Sequence, residues 1–452
     1  MTSKFTTCDR DTPYLLPPSI QDWLPEKHLA RFVVEIIDQC DVSAFEKKYS
    51  MLGRQAYPIH MMLSLLFYGY ITGVHSSRKI EQATYESVPF MYIAANNHPD
   101  HDSIAHFRKR FLTELKDTFL QILKIASTMN ILKMGKVSTD GSKIKANASK
   151  HKALSWEHAN KLEEQLKSEV EQLMKLAEDA DDIAIPKDMS IPDELSRRKT
   201  RLQAIEEAKK KIEKRAEERY QIEKIEYDEK LDQRKKTEEA SGKNNNRKLP
   251  NPPTQGPKKN DQINLTDEAS RIMPKSGGGF EQSYNAQASV DIESMLIVAN
   301  YVTQQSNDKQ QIAPMIEQIK KTETVIGKCS GLLADAGYFS KDNVERCETA
   351  QIAPLIVDKR DKHNQSLMAR FEEPSKLPEN ADAVTKMKYE LKTKEGKALY
   401  AKRKTTVEPV FGIIKNVMKF RSFSLRGIEA VDGEWNIVSI AWNIKRMFSL
   451  AV

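Results

Sequence analysis

Residues 136–145 read KVSTDGSKIK, and residues 331–335 read GLLAD. Each run arrives at an aspartate, Asp140 in the first and Asp335 in the second. Val137, Thr139 and Ile144 predict a strand with a tight turn or bulge at Asp140–Gly141. The apolar Gly331–Asp335 predicts a second strand that ends on its acid. An acid at a strand end beside a glycine leaves room for a closely approaching phosphate or metal. Further strands are expected over 283–291 (SYNAQASVD), 295–302 (MLIVANYV) and 352–357, the first two joined as a hairpin. Helices are expected over 308–320 and 340–349. Hairpin, helix, strand, helix, strand is the order of an α/β sheet. Two more helices, 400–418 and 435–448, close the chain.

The flanks have a different character. Residues 1–130 read as an all-helical region, with a helix after Pro25, a buried helix over 59–72, a polar one from Ser76, and one over 104–126 capped by Asp102 or Ser103. Short helices with Arg108, Lys109 and Arg110 clustered suit either a helix-turn-helix-like DNA-binding module or a plain bundle with a basic face. From 157 to 240, Leu162, Leu166, Val170, Leu173 and Leu176, then Leu202, Ile205, Ile212 and Ala216, recur at spacings of three and four amid dense Glu and Lys. That pattern predicts a helical hairpin, a two-helix antiparallel coiled coil, broken near 185–192. Its charge is mixed, which suits a solvated stalk better than a nucleic-acid surface. Residues 241–261 read as a basic, Pro- and Asn-rich linker.

Composition narrows the classes. The 452 residues are 39% hydrophobic and 30% charged, enough to bury a core and too apolar for wholesale disorder. Lys plus Arg number 71 against 64 Asp plus Glu, a net charge of +7 that hints at a polyanionic partner. Cys8, Cys40, Cys329 and Cys347 form no C-x-x-C pair, so a zinc ribbon or a disulfide scaffold is not expected and a reducing compartment fits. The start of the chain shows no apolar signal segment. The run 59–74 falls short of the roughly 18 apolar residues a membrane helix needs.

Asp140 and Asp335 have a third acidic companion, Glu408, in the helical stretch TTVEPVFGIIK. Hard divalent cations take a few carboxylates plus substrate phosphate rather than a full protein cage. Two strand acids and one helix acid fit that chemistry on a ribonuclease-H-like sheet, although spacing alone is a weak signal among 64 acids. The motifs around these acids resemble those of a bacterial insertion-sequence transposase of the DDE type, within that group the large eleven-eighty-two type. The resemblance rests on LPPSIQDWLPEKHLARFV, YPIHMMLSLLFYGY and HDSIAHFRKRF in the first part. It continues through VSTDGSKIKANAS, LTDEASRIM, GFEQSYNAQASVD, VTQQSNDKQQ, LLADAGYFS and YAKRKTTVEPVFGIIK.

The resemblance implies a ribonuclease-H-like catalytic domain beginning at 136–150, interrupted by the hairpin at 151–240 and the linker at 241–261, and resuming over 262–452. The helical 1–130 region would bind DNA. Asp140, Asp335 and Glu408 would hold two Mg²⁺ ions, with Mn²⁺ able to substitute. The implied reaction is hydrolysis at the ends of the mobile DNA, then attack of the freed 3′-OH on target DNA, without ATP. The implied partners are terminal inverted repeats, target DNA and a second copy of the chain, with no membrane. The implied setting is the cytoplasm, at the nucleoid when bound to DNA. The related signature Y-x2-R-x3-E-x6-K maps to Tyr400, Arg403, Glu408 and Lys415. One extra residue separates Arg403 from Glu408, so Lys404 competes for the basic role. Pro409 suggests a helix that starts near Glu408. Arg108, Lys109 and Arg110 are candidates for DNA contact.

Other groups weigh less. His98, His101 and His106 straddle a turn and match no zinc spacing. Asp267 and Glu268 read as a helix cap. Gly277–Gly279 lacks a phosphate-loop context. Trp435 and Trp442 read as core. Ser138 and Ser142 have no histidine in their motif to activate them. The alternatives to an active transposase are a catalytically silent DNA-binding descendant, a scaffold built on the hairpin, and a ribonuclease-H-fold nuclease without strand transfer.

Overall fold

The computed structural model describes residues 19–49, 56–149, 152–178, 190–241, 249–275, 277–358, 377 and 381–451. These fall into two compact units, Met1–Lys145 with Ser283–Val452, and Ala146–Gln282. The first unit opens with helices α1 (Ile20–Trp23), α2 (Leu29–Asp38), α3 (Ser43–Glu46), α4 (Ile59–Thr72), α5 (Ser77–Glu86), α6 (Val88–Ile93), α7 (His101–Arg110) and α8 (Glu114–Thr128). Every residue of α4 from Met62 to Ile71 is buried, so the helix is apolar all round because protein surrounds it. No helix among the described residues is long and apolar enough to cross a membrane. The single helix expected over 104–126 is two, parted at Phe111–Thr113. Its cap is Asp100, whose carboxylate accepts the Ser103 N–H at 2.7 Å.

Strand β1 (Lys136–Lys145) follows, uninterrupted through Asp140–Gly141 where a turn or bulge was expected. The chain then enters the second unit with β2 (Ala153–Ser155), α9 (Trp156–Glu178), α10 (Ile191–Ser241), β3 (Gln262–Asn264) and β4 (Arg271–Pro274). α9 and α10 pack together. Ala159 and Leu166 of α9 share one buried cluster with Ile205, Ala208 and Ile212 of α10 and with Leu154 and Ile263 from the short β2–β3 pair. Ion pairs Lys209–Glu163 (2.6 Å) and Arg198–Glu169 (2.7 Å) cross between the helices, so much of the charge is answered internally. The expected break near 185–192 lies partly outside the described residues.

Back in the first unit come β5 (Phe280–Asp291), β6 (Ile297–Thr303), α11 (Ile312–Ile326), β7 (Gly331–Ala334), α12 (Lys341–Thr349), β8 (Ala353–Ile356), α13 (Ala383–Lys392), α14 (Lys394–Asn416) and α15 (Ile428–Ala451). The sheet has six strands in the order β4-β5-β1-β7-β8, with β6 also paired to β5. β5 is antiparallel to both β1 and β6, whereas β1, β7 and β8 are parallel. β6 is an edge strand, and α15 answers its free backbone groups. Asn443 accepts from Ile297 N–H and donates to its carbonyl, each at 2.8 Å, and Asp432 accepts from Val302 N–H at 2.9 Å.

The helical region expected as a separate domain packs on this sheet through α15, which touches α2, α4 and α8. The seam is polar at one buried point. Glu434 of α15 accepts from Tyr70 Oη of α4 (2.8 Å) and from the backbone N–H groups of Ser424 and Leu425 (2.8 and 2.9 Å). Arg108 donates to the same Tyr70 oxygen at 3.1 Å and to the His75 carbonyl at 3.2 Å. Burial, and next the Glu434 charge, keep the Tyr70 phenol protonated. Removing one member of a buried charged network strands the others. Glu434→Ala is therefore expected to cost about 3–5 kcal/mol, read as a lowered urea midpoint, with part recovered when Arg108→Met is added.

Candidate active site

β1 and β7 run parallel with Ser138 opposite Leu333. Two residues further along each strand stand Asp140 and Asp335. Asp335 therefore leaves the sheet at the carboxyl end of β7, beside Asp140, which stands mid-strand in β1 and is still paired with Ala288 of β5. Asp335 ends its strand and caps the following turn, accepting the Gly337 N–H at 2.8 Å. Asp140 accepts the Gly141 N–H at 2.8 Å.

α14 lies against β1 and β7 and carries the remaining candidates. It is one helix from Lys394 to Asn416, with Pro409 inside it, so the expected start near Glu408 is wrong. The helix begins earlier because Thr393 caps it, accepting the Gly396 N–H at 3.0 Å. Arg403 is buried and stands between two acids. Its guanidinium is 3.1 Å from Glu408 Oε1 and 3.9 Å from Asp140 Oδ2. Lys404, the competing residue, is exposed, and Arg403 is the one that reaches the acids. The Tyr400 hydroxyl lies 3.4 Å from the carbonyl of Ala334, the residue before Asp335. Lys415 donates to Ser142 Oγ, two residues beyond Asp140.

The electrostatics follow from this crowding. Burial pushes the Asp140 carboxyl up to about 7, and the charges of Asp335 and Asp308 push the same way. The Gly141 N–H and the Arg403 guanidinium oppose them. Burial lowers the Lys415 ammonium, and Asp140 partly offsets that. Reading along the chain missed Asp308 together with Asn285 and Gln287. Asn285 and Gln287 alternate with apolar residues in β5 and Asp308 lies in a polar run; neither stretch carries an acid–glycine signal, and the fold alone brings them beside β1.

Carboxylate oxygens are the donors that a hard divalent cation takes, so the residue types fit such an ion. As placed, the described residues include no group of three Asp, Glu, His or Cys side chains able to hold one. The Arg403 guanidinium supplies the positive charge between Asp140 and Glu408 instead.

The first-region candidates lie elsewhere. Arg108 is buried in the Tyr70–Glu434 network, which corrects its expected place on a DNA-facing surface. Burial follows from helical phase, since Ile104, Phe107 and Arg108 share the inward side of α7. Lys109 and Arg110 are exposed, with the Arg110 guanidinium over the Tyr49 ring. Asp267 and Glu268 occupy a turn before β4 rather than a helix cap, and Glu268 pairs with Lys211. Trp435 and Trp442 are buried.

Family models match two stretches of the sequence. Residues 18–110 match a transposase domain, and residues 248–444, which include Asp335, Arg403 and Glu408, match a transposase DDE domain. The chain belongs to the DDE transposases. No curated protein and no solved structure matches it. Domains of this type act on DNA and normally use divalent metal ions, which agrees with carboxylates side by side on two adjacent inner strands.

The raised Asp140 carboxyl gives the transposase a pH signature. A carboxyl held above its ordinary 3.8 favours the fold while protonated, and that advantage is lost as pH rises from about 4 through about 7. Three units correspond to about 4 kcal/mol as a ceiling. Asp140→Asn is expected to raise the melting temperature in EDTA at pH 8 and to leave it nearly unchanged at pH 4. Equal melting gains at both pH values would contradict the assignment.

Proposed function

We propose that this transposase cuts at the ends of its mobile DNA by phosphodiester hydrolysis and joins the freed 3′-OH to target DNA by transesterification. Asp140, Asp335 and Glu408 are its catalytic acids. The observation that carries the reading is Asp140 beside Asp335 on adjacent parallel strands, with Arg403 of α14 bridging Asp140 to Glu408. The strand order, with β1 central, one antiparallel pair on one side and two parallel strands on the other, supports a ribonuclease-H-like catalytic domain. In this reading that domain starts at 136 and resumes after an insertion whose paired helices form a coiled-coil hairpin.

Mg²⁺, two ions with Mn²⁺ as substitute, would be held by the three carboxylates and would supply Lewis-acid stabilisation to the attacking and leaving oxygens. The chain's own residues do the positioning. Arg403 balances Asp140 and Glu408 and is placed to take a DNA phosphate when these acids are otherwise neutralised. Lys415 and Lys404 offer ammonium groups along the same helix, and Tyr400 sets the helix against the strand of Asp335. Below pH 7 the Asp140 carboxyl carries a proton that must leave before it can serve as a ligand. Lys109 and Arg110 are candidates for contact with the DNA ends, and two copies of the chain would act together on paired ends.

The test is nicking of a plasmid carrying the DNA that flanks this gene, with Mg²⁺ or EDTA, for the wild type and Asp335→Ala. Cleavage at discrete ends that needs metal and falls by roughly two to three orders of magnitude in the variant is expected. Binding without cleavage by the wild type would instead indicate a silent DNA-binding descendant. Discrete nicks without strand joining would indicate a nuclease.

A further inference from the structure

Asp308 follows β6 in the polar run 304–311 (QQSNDKQQ). It opens a 3-10 turn, Asp308–Gln310, that lies against the turn after Asp335. Its Oδ1 accepts from Asn285 Nδ2 at 2.7 Å and from Gln287 Nε2 at 2.8 Å. Both carboxamides belong to β5, where Gln287 lies opposite Gly141 and Asn285 opposite Lys143. Gln287 Oε1 in turn accepts from the hydroxyl of Tyr338, in the turn that Asp335 opens, at 2.6 Å. One carboxylate thus holds two amides of β5, the strand paired with that of Asp140, and through Gln287 it reaches the turn of Asp335.

The glycine after Asp140 is shaped by the same layer. A Cβ on Gly141 would stand 2.1 Å from Gln287 Nε2 and 2.8 Å from both Asn285 Oδ1 and Asp308 Oδ1. Asn285 is 1% exposed, and its Oδ1 has no hydrogen-bond partner among the described residues. A buried acceptor left open costs free energy unless a donor or a cation answers it. Here it lies beside the acids.

We propose that Asp308 is a positioning residue of the metal-binding centre. One of its oxygens locks the Asn285–Gln287 carboxamides that set Asp140 against Asp335, and its charge strengthens the pull on a divalent cation. The inference rests on the reading of Asp140, Asp335 and Glu408 as a metal centre. It adds a fourth acid to that centre, one that acts through the amides.

The experiment measures Mn²⁺ binding to the full-length chain by the electron paramagnetic resonance of free Mn²⁺, and melting in EDTA. It compares the wild type, Asp308→Asn and Asp335→Asn. Asparagine keeps an acceptor for the two amides and removes the charge. Asp308→Asn is expected to keep the EDTA melting temperature and to weaken Mn²⁺ binding by roughly 10- to 100-fold, the range that partners of metal ligands control. Wild-type affinity in Asp308→Asn, with binding lost in Asp335→Asn, overturns the inference and leaves the metal centre standing. Absence of Mn²⁺ binding in the wild type overturns both. Should Asp308→Asn fail to fold, Gln287→Met carries the test, because it removes one locked amide and leaves every acid. Unchanged Mn²⁺ affinity there also overturns the inference.

Discussion

The site depends on β1 being hydrogen-bonded along both edges, but over unequal lengths. Its pairing with β5 runs from Val137 to Lys145, whereas its pairing with β7 stops at Ser138 and Leu333. Beyond that point Asp140 is still held by β5, while Asp335 has already turned away. The sheet order reverses here too. The chain leaves β1 toward β5 and β6 on one side and returns as β7 and β8 on the other. A reversal of this kind opens a crevice at the carboxyl ends of the two strands, where α/β sheets bind ligands. Both aspartates stand at its lip because each lies two residues beyond the last shared pair.

Much of this was legible because the signals were local. Val137–Ile144 and Gly331–Asp335 announce strands by their side chains, and each run displays its aspartate. The turn expected at Asp140–Gly141 was misread because glycine after aspartate usually marks a bend. The reason for Gly141 is instead non-local: β5 presents carboxamides where a side chain would sit. Asp308, Asn285 and Gln287 were invisible for the same cause. Their runs belong to the motifs that carry the family resemblance, but nothing in those runs says which polar residue faces the acids, and the pairing of β5 with the distant β1 gives them their setting. Pro409 suggests a later start for α14 than the Thr393 cap sets, because the helix accommodates the proline in its interior.

The first region shows how burial competes with charge. Arg108, Lys109 and Arg110 form a basic triplet in sequence, but successive helix residues point about 100° apart, so a triplet cannot share one face. Arg108 turns inward, where Glu434 and the Tyr70 hydroxyl answer its charge. A buried guanidinium, a carboxylate and two backbone donors are costly to desolvate singly and favourable only as a complete set. The set joins α4, α7 and α15, and it also holds Ser424 and Leu425, which lead from α14 into α15. The helices that look like a separate module in the sequence therefore share one interior with the sheet, with Trp435 reaching from α15 to the Gln287 carbonyl at 3.0 Å.

The extra residue between Arg403 and Glu408 has a physical resolution on α14. At 100° per residue, a separation of five places the two about 140° apart around the helix, which excludes the ordinary same-face contact. Glu408 is exposed and Arg403 buried, as such an angle requires. Only a long side chain with a forked head spans that arc, and arginine has both. Its Nη2 reaches back to Glu408 while Nη1 faces Asp140 across to β1. Lys404, at the spacing of four that a sequence comparison favours, carries a single point of charge and lies on the exposed side. The spacing therefore selects arginine at 403. An Arg403 that joins a strand acid to a helix acid fixes α14 relative to β1 more tightly than a same-face pair confined to the helix would.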